Sequence, residues 1–221
     1  MLGASISKNS VLLGLFALAT AGVLAVTNVS TRDRIAEAER QAAQKALYEL
    51  VPAARVDNDL LSDTIIMPAD MLSALGLKSA EPIHLARKEG KIVAVIVPAV
   101  APDGYSGAIR LIVGVNRDGS VAGVRALTHK ETPGLGDKID TSKSDWILGF
   151  NGKSLGNPGE DKWRVKKDGG AFDQFTGATI TPRAVTTQVK RVLLEVAKHR
   201  NLLFDISPTD KLKDSVKGDA P

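Results

Sequence analysis

Hydroxyl, carboxylate and guanidinium groups crowd into one short stretch, Asp173-Gln174-Phe175-Thr176-Gly177-Ala178-Thr179-Ile180-Thr181-Pro182-Arg183. It reads as a polar turn around Gly177 followed at once by a helix start. Thr181 suits the N-cap, and Pro182 suits the first helical position, where its missing N–H costs nothing. Beyond it Val185, Val189, Val192, Leu193 and Val196 fall at helical spacing on one face. Thr179 then presents a hydroxyl just ahead of the unpaired N–H groups of a helix start, a setting that favours a phosphate. Arg183, in the first helical turn, adds a planar guanidinium suited to the same anion. An ordinary capped helix would contain the same residue types, so these signals alone leave both readings open.

A second string, His129-Lys130-Glu131-Thr132-Pro133-Gly134-Leu135-Gly136, has the character of a rigid turn. Pro133 fixes one φ, while Gly134 and Gly136 let the backbone run where a side chain would crowd. Taken singly, a Pro-Gly-x-Gly turn is weak and is usually only a loop.

Together the two strings resemble the FMN-binding domain shared by the RnfG and NqrC families of ion-translocating oxidoreductase subunits. Asp173, Thr176, Gly177, Ala178 and Thr179 fill the pattern Asp-x-x-(Ser/Thr)-Gly-Ala-Thr without a departure, and residues 131–136 supply Glu-Thr-Pro-Gly-Leu-Gly. The resemblance extends from about residue 105 to residue 200. It implies an FMN joined through its phosphate to the Thr179 hydroxyl, a phosphothreonyl link that leaves the redox ring free. Gly177 removes a Cβ where a bulky cofactor approaches the backbone. Threonine unaided is a poor nucleophile, so the resemblance also implies a separate flavin transferase that uses FAD and Mg²⁺. The cofactor-binding set carried over is Asp173, Thr176, Gly177, Ala178, Glu131, Thr132, Gly134, Leu135, Gly136 and Arg183. Within it the 131–136 loop lays its N–H groups and Leu135 against the ring, and Glu131 and Thr132 meet the ring's edge. Tyr105, in a Tyr-Ser-Gly turn, is a further candidate for packing near the flavin.

The sequence outside these strings must position them. Residues 91–100 (KIVAVIVPAV) are short, β-branched and free of charge inside, the mark of a buried strand. Residues 109–115 and 120–127 read as two more strands around an Asn116-Arg117-Asp118-Gly119 hairpin turn. Adjacent strands joined by tight turns predict an antiparallel sheet, and with the helix from residue 182 onward they predict an α+β fold with flanking helices. Residues 51–89 are mixed, with a small helix or turn expected between Pro68 and Gly76. Trp146 and Phe150 read as core residues, residues 163–167 (WRVKK) as a strand, and residues 202–206 as an added edge strand.

Residues 11–29 (VLLGLFALATAGVLAVTNV) carry no charge over a length that crosses a bilayer core of roughly 30 Å. A cleaved signal peptide is the rival reading, but the apolar run exceeds an ordinary signal core. Lys8 before the span and Arg32 and Arg34 after it give no local orientation bias, and long domains translocate largely regardless of such charges. The resemblance implies a cytoplasmic N-terminus at 1–10, the membrane helix at 11–29 in the bacterial inner membrane and a helical stalk at 30–50. A single periplasmic FMN-binding domain at 51–206 and a disordered tail at 207–221 complete the expected organisation.

The chain has 221 residues, a net charge of +4 and no cysteine. Without cysteine there are no disulfides, cysteine-ligated zinc or cysteine-held iron–sulfur clusters. His84, His129 and His199 are too scattered to suggest a metal site. Basic and acidic residues interleave and aromatics are only 4%, which argues against nucleic-acid binding. A redox role therefore needs an organic cofactor. The family resemblance implies the G subunit of an Rnf-type complex (Rsx in some bacteria). Such a protein carries electrons through FMN among other membrane and iron–sulfur subunits and has no complete activity alone. The alternatives are an NqrC-like component of a sodium-translocating NADH:quinone reductase and an anchored FMN-binding module that relays nothing.

Overall fold

Strand-forming sequence dominates the middle of the chain, and it assembles into one antiparallel meander. In the computed structural model, which describes residues 2–205, the strands are β1 (Thr64–Ile66), β2 (Pro82–Lys88), β3 (Lys91–Ala101), β4 (Ile109–Asn116) and β5 (Val121–Thr128). They lie in chain order, β1-β2-β3-β4-β5, each antiparallel to the next. The helices are α1 (Leu2–Leu50), α2 (Ile180–Lys198) and α3 (Arg200–Phe204).

The charge-free interior of β3 follows from its position, because both of its faces are covered. Val95 and Val97 join the core cluster that includes Val185, Val189 and Val192 of α2. Ala94 and Ile96 face the other way, into a second cluster with Leu47, Leu50, Val51 and Leu60. Leu50 fits because Gly114 and Gly123 oppose each other across β4 and β5. A Cβ on Gly123 would stand 2.8 Å from Leu50 Cδ2.

The chain divides into two units, Met1–Gln44 and Lys45–Pro221. The first contains the apolar helical segment Asn9–Arg32, long and apolar enough to cross a membrane. The end of α1, residues 45–50, belongs to the second unit, and Leu47 and Leu50 are buried there.

Between β5 and α2 regular structure is sparse, and aromatic packing replaces it. Both tryptophans and three of the five phenylalanines of the chain meet here. Trp146 lies edge-on to Phe150 and to Phe175, with centroids 5.3 and 5.0 Å apart. Phe150 stacks on Phe172 at 4.7 Å, and Phe172 meets Trp163 at 4.8 Å. Each indole N–H finds a carbonyl: Trp163 donates to Ser154 at 3.0 Å and Trp146 to Asp173 at 2.8 Å.

Several expected elements differ. Residues 163–167 are not a strand. Val165 makes one bridge to Phe172, and Lys166–Asp168 turns as a 3₁₀ helix ending at Gly169 with φ 79°. Residues 202–204 continue as α3 rather than as an edge strand, with Leu203 and Phe204 buried, while residue 206 and the expected tail at 207–221 lie outside the described residues. In the stretch read as mixed, β2 pairs with β3, and its Arg87 is buried against Asp63 at 3.0 Å.

Truncating Leu50 to Ala empties the space cleared by the two glycines. The expected cost is about 2–5 kcal/mol of unfolding free energy, measured by urea denaturation. His84 on β2 gives a pH test. Its half-buried Nδ1 donates to the Leu60 carbonyl at 2.8 Å, and burial pushes the imidazole below its ordinary value of 6.5. The unfolded chain takes up the proton first, so stability is lost as pH falls from about 6.5 toward the lower folded value. A His84→Gln variant should show a shallower loss over that window.

Candidate functional site

The two strings singled out in the sequence, together with the loop between β3 and β4, wall one cavity of about 240 Å³ at the start of α2. Phe175-Thr176-Gly177-Ala178 closes as a turn, with the Ala178 N–H donating to the Phe175 carbonyl at 3.1 Å. Gly177 has φ 82°, left-handed backbone that a side chain would strain. The helix starts at Ile180, so Thr179 occupies the capping position, and its hydroxyl makes no capping hydrogen bond. Thr179 is half-buried on the cavity wall.

Thr181 does not cap the helix. It lies inside the first turn, fully buried, and its hydroxyl donates to Glu131 Oε2. Pro182 accordingly sits at the third helical position rather than the first. The reason is a partner from far along the chain. The Glu131 carboxylate, 4% exposed, takes the hydroxyl that would otherwise cap. Glu131 Oε1 accepts the Ser106 N–H at 3.0 Å, so a single carboxylate joins three segments. Gly136 is glycine for space here, because a Cβ would stand 2.8 Å from Thr181 Oγ1 and 2.9 Å from Glu131 Oε2. The Glu131 N–H donates to His129 Nδ1 at 3.1 Å, which places the ring hydrogen on Nε2, facing Asp140 Oδ2 at 3.1 Å.

In the 131–136 loop and just after it, three N–H groups turn inward to the loop's own backbone. Those of Leu135, Gly136 and Asp137 all point to the Thr132 carbonyl, at 3.1, 3.0 and 3.4 Å. What the loop offers is the Leu135 side chain, 42% exposed. With Tyr105, 67% exposed, and Ile180 it forms an apolar rim around the cavity. Glu131, Thr132, Gly136, Gly177 and Ala178 also reach the wall.

Four expected residues stand apart from the cavity lining. Arg183 is committed to Asp168 by a two-pronged pair, Nε to Oδ2 at 2.6 Å and Nη2 to Oδ1 at 2.8 Å. The guanidinium holds the Asp168 carboxyl below its ordinary range, and Asp168 raises Arg183 in turn. Arg183 therefore does not serve as a vacant phosphate ligand. Asp173 pairs with Lys166 at 2.6 Å and gives its carbonyl to Trp146. Thr176 is exposed, and Gly134, with φ 78°, shapes the loop from outside. Sequence reading missed the structural part of Thr181 and the rim position of Ile180. The Thr-Ile-Thr spacing was visible, but nothing local marks which hydroxyl is captured.

The wall fits a flavin in part. Ligand pockets commonly run about 300–1,000 Å³, so a cavity of about 240 Å³ would cover one portion of an FMN and leave the rest against the rim. The apolar rim suits a flat ring, and the start of α2 supplies N–H groups with no intrahelical acceptor.

Residues 104–194 match the family model described as FMN-binding domain, and residues 1–50 match the RnfG N-terminal region. A Pseudomonas aeruginosa protein (strain UCBPP-PA14), named as the G subunit of the ion-translocating oxidoreductase complex, is 52% identical over 200 residues, covering 90% of this chain and 92% of its own. Proteins of the same name from Shewanella amazonensis and Vibrio atlanticus are 48% and 46% identical, each over more than 90% of its own length. The chain belongs to the family of ion-translocating oxidoreductase complex G subunits.

Proposed function

We propose that the chain is the membrane-anchored flavoprotein subunit of an Rnf-type ion-translocating oxidoreductase, with FMN esterified through its phosphate to Thr179. The observation that carries the attachment point is the contrast between neighbouring hydroxyls. Thr181 is buried and bonded to Glu131, whereas Thr179 is half-buried on the cavity wall without a capping bond. The start of α2 favours the phosphate by its unpaired N–H groups and dipole.

FMN bound there supplies electron acceptance and donation. The chain's own residues do the rest. Gly177 keeps the turn clear of a side chain, and Glu131 holds the helix start against the loop that carries Tyr105. Leu135, Tyr105 and Ile180 exclude water from one side of the ring. The domain stands on the periplasmic side of the bacterial inner membrane with the N-terminus in the cytoplasm. It exchanges electrons with other membrane and iron–sulfur subunits after a flavin transferase has loaded it. The anchor segment between residues 11 and 29 carries no charge that could move an ion, so coupling resides in those partners.

Co-expression with a flavin transferase, followed by intact mass and fluorescence on a denaturing gel, tests this reading. The wild-type chain should carry one FMN that survives denaturation. Thr179→Ala should lose all of it while keeping the wild-type circular dichroism spectrum. A wild-type chain that stays unmodified, or a Thr179→Ala chain that stays fluorescent, defeats the proposal.

A further inference from the structure

Glu131 is more than a brace. Its carboxylate lies on the wall of the cavity assigned to the flavin, almost fully removed from water, with protein donors at each oxygen. Both donors, the Ser106 N–H and the Thr181 hydroxyl, are neutral dipoles, and no salt bridge to Glu131 occurs among the described residues. A buried charge paired only with dipoles is weakly screened and acts on its neighbours at full range. His129, the titratable ring nearest in the hydrogen-bond chain, meets the Glu131 backbone rather than the carboxylate, and is itself paired with Asp140.

Resting on the reading that FMN occupies this cavity, we infer that Glu131 is a positioning residue that also lowers the flavin's reduction potential. Each electron delivered to the ring adds one negative charge unless a proton follows. In the complex a neighbouring protein delivers that electron, and in a titration dithionite does. A fixed carboxylate beside the ring opposes the added charge and so favours the oxidised form. The Thr181 hydroxyl softens this by spreading the charge. The two side chains therefore act on the potential with opposite signs.

Glu131→Gln keeps the shape and both hydrogen bonds, since the amide oxygen still accepts from Ser106 and the amide N–H can donate to Thr181. Dithionite titration of the flavin-loaded, full-length variant against reference dyes at pH 8 should show the two-electron midpoint raised. A tenfold shift in the equilibrium is the expected scale, or about 30 mV. Thr181→Val, which removes the hydroxyl and keeps the volume, should lower the midpoint. A loaded Glu131→Gln protein with the wild-type midpoint overturns the inference, and so does a Thr181→Val midpoint that is unchanged or raised. Should Glu131→Gln fail to load, Thr181→Val decides alone. Loss of flavin from both would show a folding brace only and would also overturn it. None of these outcomes touches the attachment reading, which fails if the wild-type chain stays unmodified or the Thr179→Ala chain stays fluorescent.

Discussion

A single buried carboxylate holds the cavity walls in register. Glu131 lies in the loop after β5, yet it accepts from Ser106 in the loop after β3 and from Thr181 in the first turn of α2. Breaking either contact would leave a desolvated acceptor with no partner, a penalty of about 1–3 kcal/mol or more for a charged group. The three segments are thus locked to one another by the cost of leaving that charge unsatisfied. Gly104 and Gly136 are the complement of this arrangement, because a Cβ on either would stand 2.9 Å from a Glu131 oxygen.

Around this point the fold divides its labour. The five-stranded meander supplies rigidity, with β3 sandwiched between two apolar clusters. Strand ends and their loops carry the site, as is usual when a stiff scaffold presents chemistry on its connections. The long connection from β5 to α2 has little repetitive hydrogen bonding of its own. It is ordered by ring packing and by indole N–H groups that close on backbone carbonyls, and its last ring, Phe175, opens the turn that presents Thr179.

What could be read from the sequence was local. The β-branched run of β3 and the Asn116–Gly119 turn announce their structures because their causes lie within a few residues. The two cofactor strings are local too, but their residue types alone also describe a capped helix and a plain loop, and only their resemblance to a family pattern points to a flavin. What stayed hidden was set by distant partners. Thr181 looked like a cap because nothing nearby reveals a carboxylate fifty positions away that captures its hydroxyl. Arg183 looked available because Asp168 reaches it only through the 3₁₀ turn at Lys166–Asp168, which the alternation of WRVKK disguised as a strand. β2 escaped notice because His84 and Arg87 interrupt its apolar residues, and their polar atoms are satisfied only by Leu60 and Asp63 from an earlier stretch of chain.

Leu47 and Leu50, at the close of the long first helix, are wedged into the second apolar cluster. A protease cutting ahead of Lys45 would release the globular portion with its hydrophobic lining whole. A cut a few positions later would take Leu47, or Leu47 and Leu50 together, out of that lining. Any water-soluble version prepared for spectroscopy must therefore retain the final helical turn and a half of what, from composition alone, looks like expendable tether.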